Sequence, residues 1–247
     1  YHLVVYGIKR FITAFTNGID AAFGDMIAKG EKEVLNENLS IIELIIYNIS
    51  TLVFTCAILL VSQFVMIYTK GIHDVDYVRP AFAYILLVAQ FFYAIRLPYQ
   101  YIVQAAGHFK ETKKYSIIEV IINITISVAL VIKFGLIGVA IGTFVATLYK
   151  TIMFSNYMSK NIVGRSSMVT FKKCIISIFE FGLVFFIMRI INLKVKLNYV
   201  NWITNGITIG IISSVVILIG IFVFYQNDFK KLMKKLKNVR GKKNAKA

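Results

Sequence analysis

The chain is organised as long apolar runs separated by short polar connections. Six runs meet or approach the roughly 20 residues that a helix needs to cross the hydrocarbon core of a bilayer: 41–68, 80–105, 115–132, 136–158, 174–192 and 201–225. A seventh stretch, 1–23, has the length but holds Lys9, Arg10 and Asp20, so it reads as a span only if those groups face a cavity or other helices. The runs are continuously apolar, which predicts helices; barrel strands would alternate. The expected fold class is an all-α polytopic membrane protein with about seven transmembrane helices over residues 1–226, followed by a tail at 227–247.

Polar residues inside the runs fall at helical spacing. Tyr6, Arg10, Thr13, Asn17 and Asp20 share one face of the first stretch, Tyr93, Arg96, Gln100 and Gln104 one face of the third clear run's predecessor at 80–105, and Ser116, Glu119, Asn123 and Ser127 one face of 115–132. Uncharged members such as Gln100 and Asn123 can join helices by hydrogen bonds or line a cavity. A charge near a helix centre costs about 2.5 to 3.5 kcal/mol even on the mild insertion scale. Arg96 lies too deep to snorkel easily and is assigned to a cavity, whereas Arg10 and Asp20 could equally pair with charges elsewhere. Lys150 and Arg189 are expected to snorkel to the headgroups, and Glu43 to sit in the first turn of its helix. Glu180, about two turns inside its run, is a candidate for cation coupling.

Two backbone features accompany the stripes. Pro98, two residues after Arg96, removes a helix hydrogen bond in mid-run and predicts a kink or break that could act as a hinge. Gly138, Gly142 and Ala146 form a small-xxx-small row that permits close helix approach.

Composition agrees with the membrane reading: 58% of the 247 residues are hydrophobic and 16% charged, and the mean hydropathy is +0.72. This excludes a disordered chain, and two cysteines exclude a disulfide framework. The net charge of +16 would point to nucleic acid in a soluble protein, but residues 227–247 carry nine Lys or Arg against Asp228 alone, half of the total. That tail is expected to lie on anionic lipid headgroups, with no nucleic-acid partner.

Basic residues also alternate between connections. Lys29, Lys32, Lys110, Lys113, Lys114, Lys160, Arg165, Lys172, Lys173 and the tail belong to one side; Lys70, Arg79, Lys133, Lys194 and Lys196 belong to the other. The positive-inside rule makes the first side, including the C-terminus, cytoplasmic. Seven spans then place residue 1 outside. The chain begins with Tyr1, its first Met is Met26, and no signal-peptide n-region is present, so an odd number of further helices is expected to precede it.

Catalytic signatures are missing: there is no phosphate-binding G-x-x-x-x-G-K-[ST] loop, and His2, His73 and His108 are scattered, so neither enzymatic activity, a cofactor nor a metal is expected. Cys56 and Cys174 fall near opposite ends of the expected bundle, and no disulfide is expected between them. Sequons at Asn38, Asn48 and Asn123 lie in or beside runs or on the inner side and read as chance.

Residues 96–143 carry a resemblance. Arg96-Leu-Pro98, Gln104-Ala-Ala-Gly107-His-Phe-Lys110, Lys114-Tyr-Ser-Ile-Ile-Glu119, Ile122-Asn123-Ile124-Thr125-Ile126-Ser127 and Lys133-Phe-Gly135-Leu-Ile-Gly138-Val-Ala-Ile-Gly142-Thr143 resemble the C-terminal half of bacterial polysaccharide flippases of the O-antigen and capsule type. These belong to the multidrug/oligosaccharidyl-lipid/polysaccharide exporter superfamily. Phe23-Gly24-Asp25-Met-Ile-Ala28-Lys29 resembles the end of that family's eighth helix, with Asp25 where Asn is commoner. The likeness runs over most of 1–226 and weakens after about 170.

The resemblance implies one lobe, plus two terminal helices, of a two-lobe transporter in the bacterial cytoplasmic membrane. Rocking of the lobes would move an undecaprenyl-diphosphate-linked oligosaccharide outward for surface polysaccharide synthesis, in the neighbourhood of the polysaccharide polymerase machinery. One lobe alone is not expected to transport. Arg96, Arg10 and Lys9 would hold the diphosphate, with Gln100 and Asn123 beside them and Asp20, Glu119 or Glu180 as proton or sodium partners. The alternatives are an ion-coupled multidrug antiporter of the same superfamily and a non-transporting membrane scaffold.

Overall fold

The computed structural model describes residues 1–72 and 77–244, with side chains through residue 237; His73 and Lys246 lie outside the described residues. Among the described residues there are nine α-helices and no strand: α1 (His2–Ala14), α2 (Ile19–Ala28), α3 (Lys32–Tyr68), α4 (Pro80–Ala105), α5 (Phe109–Phe134), α6 (Leu136–Met158, continued by a π-helical turn Ser159–Val163), α7 (Met168–Ile191), α8 (Tyr199–Phe224) and α9 (Gln226–Asn244). Six of these, α3 to α8, are long and apolar enough to cross a membrane, and the chain is a polytopic all-α membrane protein.

The stretch 1–23 departs from the single span expected of it. The chain turns at residues 15–18, where Gly18 takes a left-handed φ of 79° that side chains disfavour. Asn17-Gly18 is a turn-forming dipeptide, and it outweighs the apolar periodicity around it. The 13-residue α1 reaches only about 20 Å, short of the hydrocarbon thickness. In contrast, α4 runs unbroken through Pro98, which is buried. A hydroxyl from α6, Thr151, donates to the Phe92 carbonyl at 3.0 Å just upstream of Arg96.

Helix α3 is the central strut. Its 37 residues span about 55 Å, well beyond the hydrocarbon core, so its first turns project past the apolar layer. Helices α1, α2 and α4 pack on it, α6 packs on α4, and α5 packs on α6; α7 and α8 pack on each other and on α3. One apolar core joins Phe23, Leu39, Tyr47, Tyr99, Met158 and Val163 at the end where residues 29–32, 106–114 and 159–173 also lie. Tyr47 and Tyr99 face each other there, hydroxyl to hydroxyl, at 3.0 Å. A second core joins Ile12, Phe54, Val61, Leu87 and Leu97, and a third joins Leu60, Val184, Met188, Ile209 and Val216. At the opposite end Gln63 donates to Asn201 and accepts from Asn205, at 3.0 and 3.3 Å.

The α5–α6 hairpin is packed more tightly than side chains would allow. A Cβ on Gly138 would lie 2.5 Å from the Leu130 carbonyl carbon, and one on Gly142 would collide with Ser127 and lie 3.0 Å from the Asn123 carbonyl oxygen. The small-residue row is therefore a seam, with Asn123 and Ser127 on its far side. Elsewhere α5 carries Ile117, Ile121, Ile124, Val128 and Ile132 on exposed surface. Such an apolar exterior is stable against lipid and not against water.

Candidate functional site

The most buried cation among the described residues is Arg96 of α4, which is 3% exposed. Its guanidinium donates from Nη1 to Oε1 of Glu119 on α5 at 3.2 Å. The second oxygen of the same carboxylate accepts from Lys150 of α6 at 2.5 Å. The polar faces of α4 and α5 thus meet through a carboxylate that bridges two cations. On the other side Arg96 lies 5.1 Å from the centre of the Tyr93 ring, and Lys9 of α1 sits 4.5 Å from the same ring. Lys9, Tyr93, Arg96, Glu119 and Lys150 form one cluster with three cations and a single carboxylate.

The cluster is incompletely satisfied. A guanidinium has five N–H donors. Arg96 Nε is buried without a partner, and one hydrogen bond, from Nη1, ties the group to Glu119. The spare donors and the surplus positive charge are what an anionic ligand needs.

Lys150 does not snorkel as expected. It stands 15 residues into α6, and its side chain is 15% exposed, with the ammonium held by Glu119. The signal in the sequence was the pairing of a mid-run lysine with a mid-run glutamate, but their contact depends on how α5 packs against α6. Glu119 is a charge bridge in this arrangement.

The remaining residues assigned from sequence fall at varied places. Arg10 is exposed and lies over the Tyr6 ring of its own helix at 4.8 Å. Asp20 is exposed in the first turn of α2, where a carboxylate favours the positive end of the helix dipole, and no cation lies within ion-pair distance of it among the described residues. Asn123 accepts from Ser127 at 3.1 Å, inside the α5–α6 seam. Gln100 lines a cleft of about 370 Å³ that also reaches Lys150. Glu180 lies apart from the cluster on α7, 3% exposed, with Oε1 unpartnered and packed against Gly220 of α8.

A second ionic network, which neither hydropathy nor helical spacing signals, surrounds Glu43. Glu43 is fully buried and accepts from both terminal nitrogens of Arg165, one of them at 3.0 Å. It also accepts from Lys173 at 3.0 Å, and Lys173 reaches on to Asp228 at 3.1 Å. Burial alone would lower the Arg165 guanidinium, but the Glu43 carboxylate beside it more than offsets this and holds it above its ordinary value. Glu43 is not in a first turn, since α3 begins at Lys32 and places it about three turns in. The network balances two cations with two carboxylates and fastens α9 to α3 and α7, aided by a contact from Lys235 to Asn38. The part of the basic tail in α9 is therefore tied to the bundle, with Lys230, Lys234 and Lys237 left exposed.

Between α3, α4, α6 and α7 lies a cavity of about 380 Å³ walled by Phe54, Phe91, Phe92, Phe144 and Phe181. Its lining is apolar apart from Thr51, Thr55 and Ser177. No family model, no curated protein and no solved structure matches this chain.

Proposed function

We propose that this protein is part of a transporter that moves a diphosphate-linked lipid oligosaccharide across the bacterial cytoplasmic membrane, with its C-terminus on the cytoplasmic side. The observation that carries this reading is the Lys9–Tyr93–Arg96–Glu119–Lys150 cluster, in which Arg96 and Lys150 outnumber Glu119 within the membrane-spanning helices α4 to α6, exposed Lys9 of the short α1 adds to the surplus, and guanidinium donors stay unused. Such a site is costly to build and suits a ligand whose charge is at least −2. The resemblance of residues 96–143 to polysaccharide flippases supports the same substrate class, and the phenylalanine-lined cavity offers room for a short part of a lipid chain.

A multidrug antiporter that exports organic cations would need a carboxylate surplus where this cluster has a cation surplus. Complementation of a bacterial strain lacking its own polysaccharide flippase tests the proposal. Arg96→Gln is expected to abolish surface polysaccharide while protein abundance stays normal, and Arg189→Gln, at the exposed end of α7, to preserve it. Full display with Arg96→Gln would sink the reading.

A further inference from the structure

The cleft that Gln100 lines has a charge pattern that the mid-bundle cluster does not explain. Its polar walls include Gln100, Gln104, Lys110, Lys113, Ser116 and Lys150, contributed by the end of α4, the start of α5 and the middle of α6. The side chains of three lysines border about 370 Å³ of largely apolar space, with Lys110 and Lys113 at its exposed rim and the Lys150 ammonium held by Glu119, and no carboxylate is among the lining residues. Lys110 and Lys113 make no ion pair among the described residues, although Glu111 lies between them in sequence. Lys114 points elsewhere, over the Tyr115 ring at 5.3 Å. The first turn of α5 also borders the cleft, and the positive end of its helix dipole adds positive potential.

A row of lysines that only set membrane orientation would be spread around the helix end in water. Here two of them converge on a cavity that a third lysine, Lys150, joins from within the bundle. Lys150 is also the partner of Glu119, whose other oxygen holds Arg96. The cleft therefore opens at the end carrying the basic connections and connects, through one side chain, to the deepest arginine.

We infer that this cleft is a diphosphate-binding site at which a lipid-borne headgroup is first captured, gripped by Lys110 and Lys113 and passed toward Arg96 by way of Lys150. The inference takes its lipid ligand from the transport reading above, but its test is a binding measurement that does not require transport. The volume accommodates a diphosphate with its first sugar and excludes a long oligosaccharide, which would remain outside.

The test uses the full chain in nanodiscs of neutral lipid, with polyprenyl diphosphate in the disc as one probe and inorganic pyrophosphate in solution as the other. Lys110→Gln/Lys113→Gln is expected to weaken polyprenyl diphosphate binding by about tenfold or more. Lys114→Gln removes a charge from the same turn but not from the cleft, and is expected to stay within about twofold of the parent. Weakening of the lipid probe, with or without a parallel loss for pyrophosphate, supports the site. Weakening of pyrophosphate alone would assign the cleft to a free anion and overturn the capture role. An unchanged double variant, or an equal loss per charge in Lys114→Gln, would overturn the site altogether. Both double-variant positions are exposed and unpaired, so an unaltered melting temperature verifies that folding is not the cause. Normal binding loss together with failed complementation would reject transport and keep the site; the reverse would reject the site and keep transport.

Discussion

Glu119 and Lys150, on adjacent helices α5 and α6, are joined at 2.5 Å, and the same carboxylate also holds Arg96 on α4. One acid thus bridges two cations that would otherwise face each other inside the bundle, and leaves one positive charge unbalanced. Glu119→Gln should lower stability by about 2 to 3 kcal/mol, below a fully buried case because Glu119 keeps 21% of its side-chain surface exposed. Adding Lys150→Gln should recover part of that loss. Thermal unfolding of the single and double variants in nanodiscs measures the coupling, and additive losses would mean that the bridge is not formed.

The α5–α6 seam predicts a contrast among glycines. Gly138→Ala forces a Cβ to within 2.5 Å of the Leu130 carbonyl carbon and should cost about 1 to 3 kcal/mol. Gly182→Ala in α7 meets no atom within 4 Å and should be neutral or stabilising by up to about 1 kcal/mol. Denaturation midpoints of the two variants should move in opposite directions or, at least, by clearly different amounts.

Much of this architecture is legible in the chain itself, and the exceptions have physical causes. The six apolar runs and the polar faces of α4 and α5 follow from length and periodicity. The break between α1 and α2 was signalled by Asn17-Gly18 but hidden by apolar neighbours on both sides. Glu43 was misplaced because hydropathy marks where the apolar layer begins, at residue 41, whereas helix α3 begins at Lys32 and continues through polar residues. The Lys150–Glu119 and Arg165–Glu43 pairs join residues 31 and 122 positions apart, and only tertiary packing brings them together.

The network around Glu43 predicts two separable effects. Glu43→Gln strands the Arg165 and Lys173 charges in a buried site and should cost about 3 to 5 kcal/mol. Asp228→Asn leaves Glu43 satisfied and removes only the link to α9. Hydrogen exchange at residues 229–237 should then rise while α3 remains protected, and unchanged exchange there would show that Asp228 does not hold α9.

Membrane sidedness can be tested on two lysines. Lys234 belongs to α9 and Lys196 to the connection before α8, which the bundle places at the opposite end. Single cysteines introduced there, in a Cys56→Ser/Cys174→Ser background, should label from opposite faces in intact bacteria, Lys196→Cys from outside and Lys234→Cys only after permeabilisation. Labelling of both from one side would contradict the topology.

The cationic cluster around Arg96 as a diphosphate site is the central claim, and outer-leaflet appearance of lipid-linked oligosaccharide in cells tests it most directly. With Arg96→Gln at normal abundance, the lipid-linked oligosaccharide should accumulate on the inner leaflet and its outward appearance should fall by about a hundredfold, the loss expected when a bidentate guanidinium contact to a diphosphate is removed. Outward movement at the parent rate with Arg96→Gln would contradict the account.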